Sequence, residues 1–442
     1  MEDDYHDKSE KPKLDNTSSS PATIATPRPN LVFMEREKKD TGHWGDFNYD
    51  NKTFPKCPST VNKAELDEFL GKIYHVDVAD IVLQSDSKAF IKKGNSYYKV
   101  TERPFRGKEI DDLIASMHRE STPGLVKSGK PAKYHYVVPI VKSGKDNINE
   151  IEYARFRVNC TACMGLHGAS DGIDMTMRSV AAYPPTMDEL KLPKGIQDMS
   201  FPSSGLFIIT GETDSGKSTT LGSIIRHWAV RPNAVRIITY EDPVEFDFKA
   251  IPNTTACISQ TSVGVGEMIP DWADCIPNAI RRNPDIIMLG EISTPESMKN
   301  VINAALAGHV VYTTLHAGSV ALAFSRIINA FPENEQHLAR EALITTVRGV
   351  VHQSLLTMKG SMKRVAVYEW LEFDSFERKK LTDAGGDGLF KTLQTLVETR
   401  GRAQLTDLES KKELIDPDSY LSAYRSLTDR KEQPESPDHG KQ

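Results

Sequence analysis

From Leu206 to Thr220 the chain reads LFIITGETDSGKSTT, and Gly211 to Ser218 fits the spacing GxxxxGK[ST] that suits the cradling of phosphates. Backbone N–H groups from Gly211 to Lys217 would wrap the phosphate oxygens. The Lys217 ammonium would reach the terminal phosphates, and the Ser218 hydroxyl would hold Mg2+. Gly211, Thr213, Ser215, Gly216 and Thr219 complete the set of candidate nucleotide contacts in this loop. The apolar run before it predicts a buried strand. Leu221, Ile224, Ile225 and Trp228 follow at helical spacing, so a helix N-terminus faces the anion.

Three further groups of polar residues stand where apolar runs end. VRIITY leads into Glu241-Asp242-Pro243-Val244-Glu245, and IIML into Gly290-Glu291. HVVYTTL runs into His316, with His309 at its start. Carboxylates near a metal-bound nucleotide can order the metal's waters or polarise the attacking water, and an imidazole can sense the terminal phosphate. Singly, each has a bland reading as a solvated loop acid, a helix cap or a structural histidine. Several at successive strand ends of one nucleotide-binding unit point instead to catalysis, because ligands of doubly wound sheets bind at the carboxyl ends of strands.

The elements that must hold these groups can be read from periodicity. LFIIT, VRIITY, IIML and HVVYTTL are short and continuously apolar, as strands of a parallel sheet covered on both faces should be. Between the last two, Thr294 caps a helix with Pro295 in its first turn, Met298, Val301, Ile302 and Ala305 inward, and Gly308 at its end. Another helix starts near Ser319, carries Leu322, Ile327 and Ile328, and stops before Pro332. From Glu333 to about Leu427 the chain reads as mostly helical, with Leu343, Ile344, Val347, Val350 and Val351 packing inward.

Upstream the pattern differs. A helix capped by Asn62 buries Leu66, Phe69, Leu70 and Ile73, and a second carries Ile110, Leu113, Ile114 and Met117. Strand-like runs IVLQS, AFIKKGNSYYKV (broken as a hairpin at Gly94-Asn95), YHYVVPIV, EYARFRVNC and IDMTMRSV complete a smaller α+β unit. The expected organisation is a disordered tail over 1–55, rich in Lys, Asp, Ser, Thr and Pro, then an N-terminal α+β domain over 56–182. A proline-bearing linker over 183–197 follows, then an α/β nucleotide domain with a doubly wound, mainly parallel sheet over 198–428, and a second disordered tail over 429–442.

The 442 residues suffice for two or three domains. A net charge of −6 and the lack of a basic, aromatic-interleaved stripe argue against direct nucleic-acid binding. No apolar run approaches the ~20 residues needed to span a bilayer, and the acidic start MEDDYHDKSEKPK is unlike a signal peptide, so a cytoplasmic location is expected. Cys160 and Cys163 form a CxxC without a second pair, which reads as two small residues on a half-buried strand rather than a zinc or redox site.

At these residues the sequence resembles the secretion-ATPase superfamily, which includes PilT-type pilus motors and type IV secretion traffic ATPases. The similarity is carried by the Walker A run GETDSGKSTT, the Asp box RIITYEDPVEF, the Walker B run RRNPDIIMLGE and the His box AALAGHVVYTTLHAGS, with RIINAFP downstream and ARFRVN (154–159) upstream. DVADIVLQSD and the run around RFRVN look closest to the DotB/TraJ branch. The resemblance spans roughly Asp77 to Glu369. It implies a RecA-like P-loop fold behind a PAS-like N-terminal domain, and a homo-hexameric ATPase using ATP and Mg2+. Such a ring would power a type IV secretion or conjugation machine through inner-membrane partner proteins, with peripheral membrane association. Carried onto this chain, Glu245 activates water, Glu291 is the Walker B glutamate and a metal-site residue with Ser218, and His309 and His316 couple phosphate state to movement. Arg155, Arg157 and Arg178 are candidate arginine fingers, among which the sequence does not choose.

Departures set what the structure must answer. Asp214 stands where the family's loop has glycine, and an inward carboxylate there would weaken nucleotide binding; this keeps a weakly hydrolysing scaffold as an alternative, beside a RecA-like nucleic-acid motor. Ser293-Thr294 replaces an Arg-Asp pair of the pilus motors, and neither an AIRNLI-like retraction motif nor a four-cysteine insert is visible. What is transported is not written in these residues.

Overall fold

Two sheets of different grammar carry the molecule. In the computed structural model, the described residues are 61–432 apart from 75, 77, 94, 95, 102, 144–148, 169, 170, 265–267 and 362, and they belong to one compact unit. The tail expected over 1–55, the hairpin break at Gly94-Asn95 and residues 433–442 lie outside them.

Helix α1 (Lys63–Ile73) opens with a capping box, in which the Asn62 side chain accepts from Glu65 N–H while the Glu65 carboxylate accepts from Asn62 N–H. Strands β1 (Asp80–Gln84), β2 (Phe90–Lys93) and β3 (Ser96–Lys99) follow, then helices α2 (Gly107–Met117) and α3 (Thr122–Lys127). Strands β4 (Ala132–Ser143), β5 (Asn149–Cys163) and β6 (Gly172–Val180) complete an antiparallel sheet of order β3-β2-β1-β6-β5-β4. The three helices cover one face. Along β5, Ala154, Phe156, Val158 and Cys160 point into that core, so the alternating Arg155 and Arg157 take the other face. The same period separates the cysteine pair. Cys160 is buried with its thiol pushed up to about 12, whereas Cys163 is part-exposed, and both are free.

After the linker and a short helix α4 (Lys194–Met199), the second sheet is built from β7 (Gly205–Thr210), α5 (Lys217–Ala229), β8 (Arg236–Glu241), β9 (Cys257–Ser262), α6 (Trp272–Ile280), β10 (Ile286–Leu289), α7 (Pro295–Leu306), β11 (Val310–Leu315), α8 (Val320–Asn329), α9 (Glu333–Thr346), β12 (Val347–Thr357) and β13 (Arg364–Glu372). Its order is β13-β12-β7-β11-β10-β8-β9, parallel throughout except for the antiparallel edge β13. Alternate residues of β7 enter two separate cores. Leu206 and Ile208 pack under α6 to α9, while Phe207 and Ile209 pack under α4 and α5. That two-sided burial explains the continuous apolar runs. Helices α10 (Ser375–Thr399), broken at Gly385, α11 (Gln404–Ser410) and α12 (Pro417–Glu432) close the chain.

One expectation needs correction. The stretch after Glu333 is mostly helical, but α9 stops at Thr346, and β12 and β13 interrupt it, so Val347, Val350 and Val351 lie in a strand. Their inward spacing mimicked a helix face, but β-branched side chains beside β7 favour the strand. Helix α12 continues through Glu432.

Candidate functional site

The phosphate loop joins the end of β7 to the start of α5. Three positive-φ residues make its curl, Gly211 (154°), Asp214 (66°) and Gly216 (84°). A Cβ at Gly211 would lie 2.3 Å from the Gln353 carbonyl oxygen, so only glycine fits there. Lys217 is 8% exposed, and its Nζ donates to the carbonyls of Gly211 (2.9 Å) and Glu212 (2.6 Å). Burial holds its pKa below the ordinary lysine value, against the pull of Glu291, Glu212 and Glu245. These carbonyl bonds park the ammonium at the mouth of the loop, where an anion can replace them.

The loop opens on a cavity of about 450 Å³. Its walls include the loop from Thr213 to Thr219, Glu241 and Glu245 after β8, Glu291 after β10, and His316 after β11. Arg157 of β5 and Arg178 of β6 reach the same space from the first sheet. Most of the residues singled out in the sequence therefore converge. His316 Nε2 stands 3.8 Å from a Glu291 carboxylate oxygen, and desolvation followed by the Lys217 charge lowers its pKa, keeping the ring neutral near pH 7. Glu241 lines the cavity while 5% exposed, accepts from the Thr239 hydroxyl (2.6 Å) and Gln260 Nε2 (3.0 Å), and is pushed up to about 7 by burial.

The arginines divide. Arg157 and Arg178 are register partners and both line the cavity. Arg178 makes a forked pair with Asp80 (2.7 and 3.2 Å), and Arg157 lies 3.9 Å from Glu245. Arg155 does not line the cavity; it pairs with Asp247 at 2.5 Å and so fastens β5 to the segment after β8. His309 also lies away from this cavity. It precedes the first residue of β11, with its carbonyl accepting from Gly205 N–H, about 23 Å along the strand from His316 at 3.3 Å per residue.

Asp214 stands at the rim of the cavity. Its side chain is 84% exposed and lies 3.6 Å from Arg364 of β13, which also donates to the Asp214 carbonyl (3.1 Å). The carboxylate thus has a cation partner on β13. Gln353, Arg364 and Asp247 were not singled out in the sequence; none belongs to a local motif, and Gln353 is 138 residues from its loop partner Ser215.

The groups fit a magnesium nucleotide. Hard oxygen donors from Ser218, Glu241, Glu245 and Glu291 surround the place where the phosphates would sit. Among the described residues no cluster of three or more His, Cys, Asp or Glu could hold a metal unaided. Among the described residues, no helix is long and apolar enough to cross a membrane.

Comparison with known proteins adds lineage to geometry. The family model described as Type II/IV secretion system protein matches residues 188–411. The chain is 32% identical to a twitching motility protein of Neisseria gonorrhoeae, over 60% of this chain and 64% of that protein. It is 27% identical to the type IV pilus retraction ATPase PilT of Pseudomonas aeruginosa, over 66% of this chain and 77% of that one. It spans 59% of a further relative, YggR of Escherichia coli, so it covers under two thirds of two of these curated relatives. Among solved structures, the Legionella pneumophila ATPase DotB is 30% identical with a TM-score of 0.75, covering 85% of this chain and 99% of that one. A pilus retraction motor PilT with bound ADP is similar in fold, at 24% identity and a TM-score of 0.67, over 83% of this chain and 99% of that one.

Proposed function

The chain belongs to the Type II/IV secretion system protein family, whose relatives are named as ATPases, and from that premise we propose that it hydrolyses ATP to drive a type IV secretion or conjugative transfer apparatus. One observation carries the reading: a single cavity gathers the phosphate loop, Glu245, Glu291 and His316 from the parallel sheet with Arg157 and Arg178 from the antiparallel one. The working division is a domain over 56–182, a linker over 183–197 and a nucleotide domain over 198–428.

Each residue then has a task. Loop N–H groups from Gly211 to Lys217 hold the phosphates, and Lys217 exchanges two carbonyls for phosphate oxygens. Ser218 and Glu291 would hold Mg2+, which when bound would neutralise charge on the phosphates. Glu245 takes the proton of the attacking water. Arg157, 3.9 Å from Glu245 and in the same cavity, would stabilise the charge of the transferring phosphoryl group as an arginine finger does. His316 beside Glu291 registers the loss of the terminal phosphate. Closure of the first sheet over the nucleotide is the mechanical output, and six copies in a ring at the cytoplasmic face of the inner membrane, docked on partner proteins, would deliver it.

The test is steady-state ATP hydrolysis by the full chain. Lys217→Ala should abolish nucleotide binding, and Glu291→Gln should bind ATP yet lose at least about a hundredfold in kcat, the scale of one acid–base or charge-stabilising group. A wild-type chain that neither binds nor hydrolyses ATP sinks the proposal. A chain that binds ATP tightly but turns over no faster than Glu291→Gln supports the scaffold instead.

A further inference from the structure

Strand β12 lies beside β7, and their pairing ends at His352 opposite Thr210. Gln353 is therefore the first residue beyond the ladder, level with the point where the phosphate loop departs. It is 3% exposed. Its amide nitrogen donates to the Ser215 carbonyl at 2.6 Å, and its amide oxygen accepts from the Thr220 hydroxyl at 2.7 Å. The first partner belongs to the loop and the second to the opening turn of α5, so one side chain ties both halves of the cradle to the sheet. The two bonds also fix which way round the amide sits, because a flipped amide would set oxygen against the Ser215 carbonyl and NH2 against a hydroxyl that now donates to it.

The consequence for phosphate binding follows from peptide geometry. In a trans peptide, C=O and the next residue's N–H point in opposite directions. Holding the Ser215 carbonyl outward toward β12 aims the Gly216 N–H inward, to the concave side of the loop. Gly216 sits at φ 84°, and a Cβ there would lie 2.7 Å from the Gln353 amide nitrogen, so the glycine and the amide are matched at van der Waals limits. Gly211 meets the backbone carbonyl of the same residue. Both glycines of the cradle are thus shaped against Gln353.

We propose that Gln353 is a positioning residue for phosphate binding, acting through the Ser215–Gly216 peptide to present the Gly216 N–H to the nucleotide's β-phosphate. This rests on the reading of the loop as an ATP site. An N–H that holds the phosphate equally in the ground and transition states contributes to KM rather than kcat, and that split separates positioning from general support of the fold.

Gln353→Met keeps the length and loses both bonds, and Gln353→Glu keeps the acceptor for Thr220 and loses the donor to Ser215. In each, KM for ATP and Kd for ADP should rise about tenfold, the usual scale for a buried hydrogen-bond partner lost. kcat should stay within about twofold, and the melting temperature without nucleotide within about 3 °C. Thr220→Val, which retains Gln353 but frees its amide to flip, should raise KM about threefold and carries the test if both Gln353 variants fail to fold. Unchanged KM and ADP affinity in the folded variants overturns the proposal, as does a fall in kcat and melting temperature with KM intact. Failure of the wild-type chain to bind ADP or ATP would instead refute the ATPase reading.

Discussion

Glu241 is a carboxyl group that the fold keeps from ionising at the usual pH. Its burial at the end of β8 raises the pKa to about 7, from 4.5 in the unfolded chain. Between those values the folded state holds a proton that the unfolded state has released. Stability from this group is therefore complete below about pH 4.5 and lost as pH rises through about 7. Glu241→Gln should remove that slope, so the difference between wild-type and variant melting temperatures should change steadily from pH 5 to 7.5 and level off above. The difference curve is the proper readout, because His135, depressed to about 4 chiefly by burial and then by Arg155 and Arg157, contributes stability that grows in the opposite direction from about pH 4 to 6.5. Parallel melting curves across that range would show that Glu241 ionises normally. The arginines make a second residue-scale contrast. Arg155→Ala should cost about 2 kcal/mol of stability through its bond to Asp247, on the scale of a charged hydrogen bond, with strong coupling in a double-mutant cycle. Arg157→Ala should lower kcat and leave the melting temperature nearly unchanged. Equal effects of the two on kcat would restore Arg155 as a finger.

At the scale of elements, the linker and α5 form one joint. Arg226 of α5 donates to the Pro184 carbonyl (2.7 Å) and stacks on the Tyr183 ring, so the helix that starts at the phosphate loop also holds the segment between the sheets. Gly222 makes the approach possible, since a Cβ there would come within 3.0 Å of Pro184 and 3.2 Å of Phe246. Gly222→Val should lever the linker from the helix, cost about 1–3 kcal/mol by overpacking, and lower kcat more than nucleotide affinity. A variant with native melting temperature and kcat would show the joint to be loose. What the sequence disclosed about such elements follows from the kind of burial each strand has. The runs at 206–210 and 286–289 are apolar on both sides because two cores take alternate residues, and period and composition then agree. Strand β12 carried His352, Gln353 and Ser354 into a polar seam behind the loop, breaking its apolar run, so its valines joined the helical face that precedes it. The catalytic-side acids were legible because they follow strands immediately. Gln353, Arg364 and Asp247 were not, because their partners lie across the sheet rather than along the chain.

For the molecule as a whole, the cavity has contributions from both sheets, and the mechanical output proposed for it requires that one move on the other. Closed homo-oligomers repeat a single interface by symmetry, so closure in one copy changes the surface that its neighbour meets. This makes subunit mixing a sharper measure of the proposed ring than size alone. Lys217→Ala subunits mixed with wild type should lower activity faster than in proportion to their fraction. In the limit where one dead copy stalls a ring of six, an equal mixture retains only about one part in sixty of wild-type turnover, given random assembly into a closed six-fold ring. Partial coordination bends the curve less, but still below the diagonal. Activity that falls linearly with the mutant fraction, under conditions where capture of an affinity-tagged variant also retains untagged wild-type subunits, would mean that each cavity works alone, and coordinated closure around a ring would have to be abandoned.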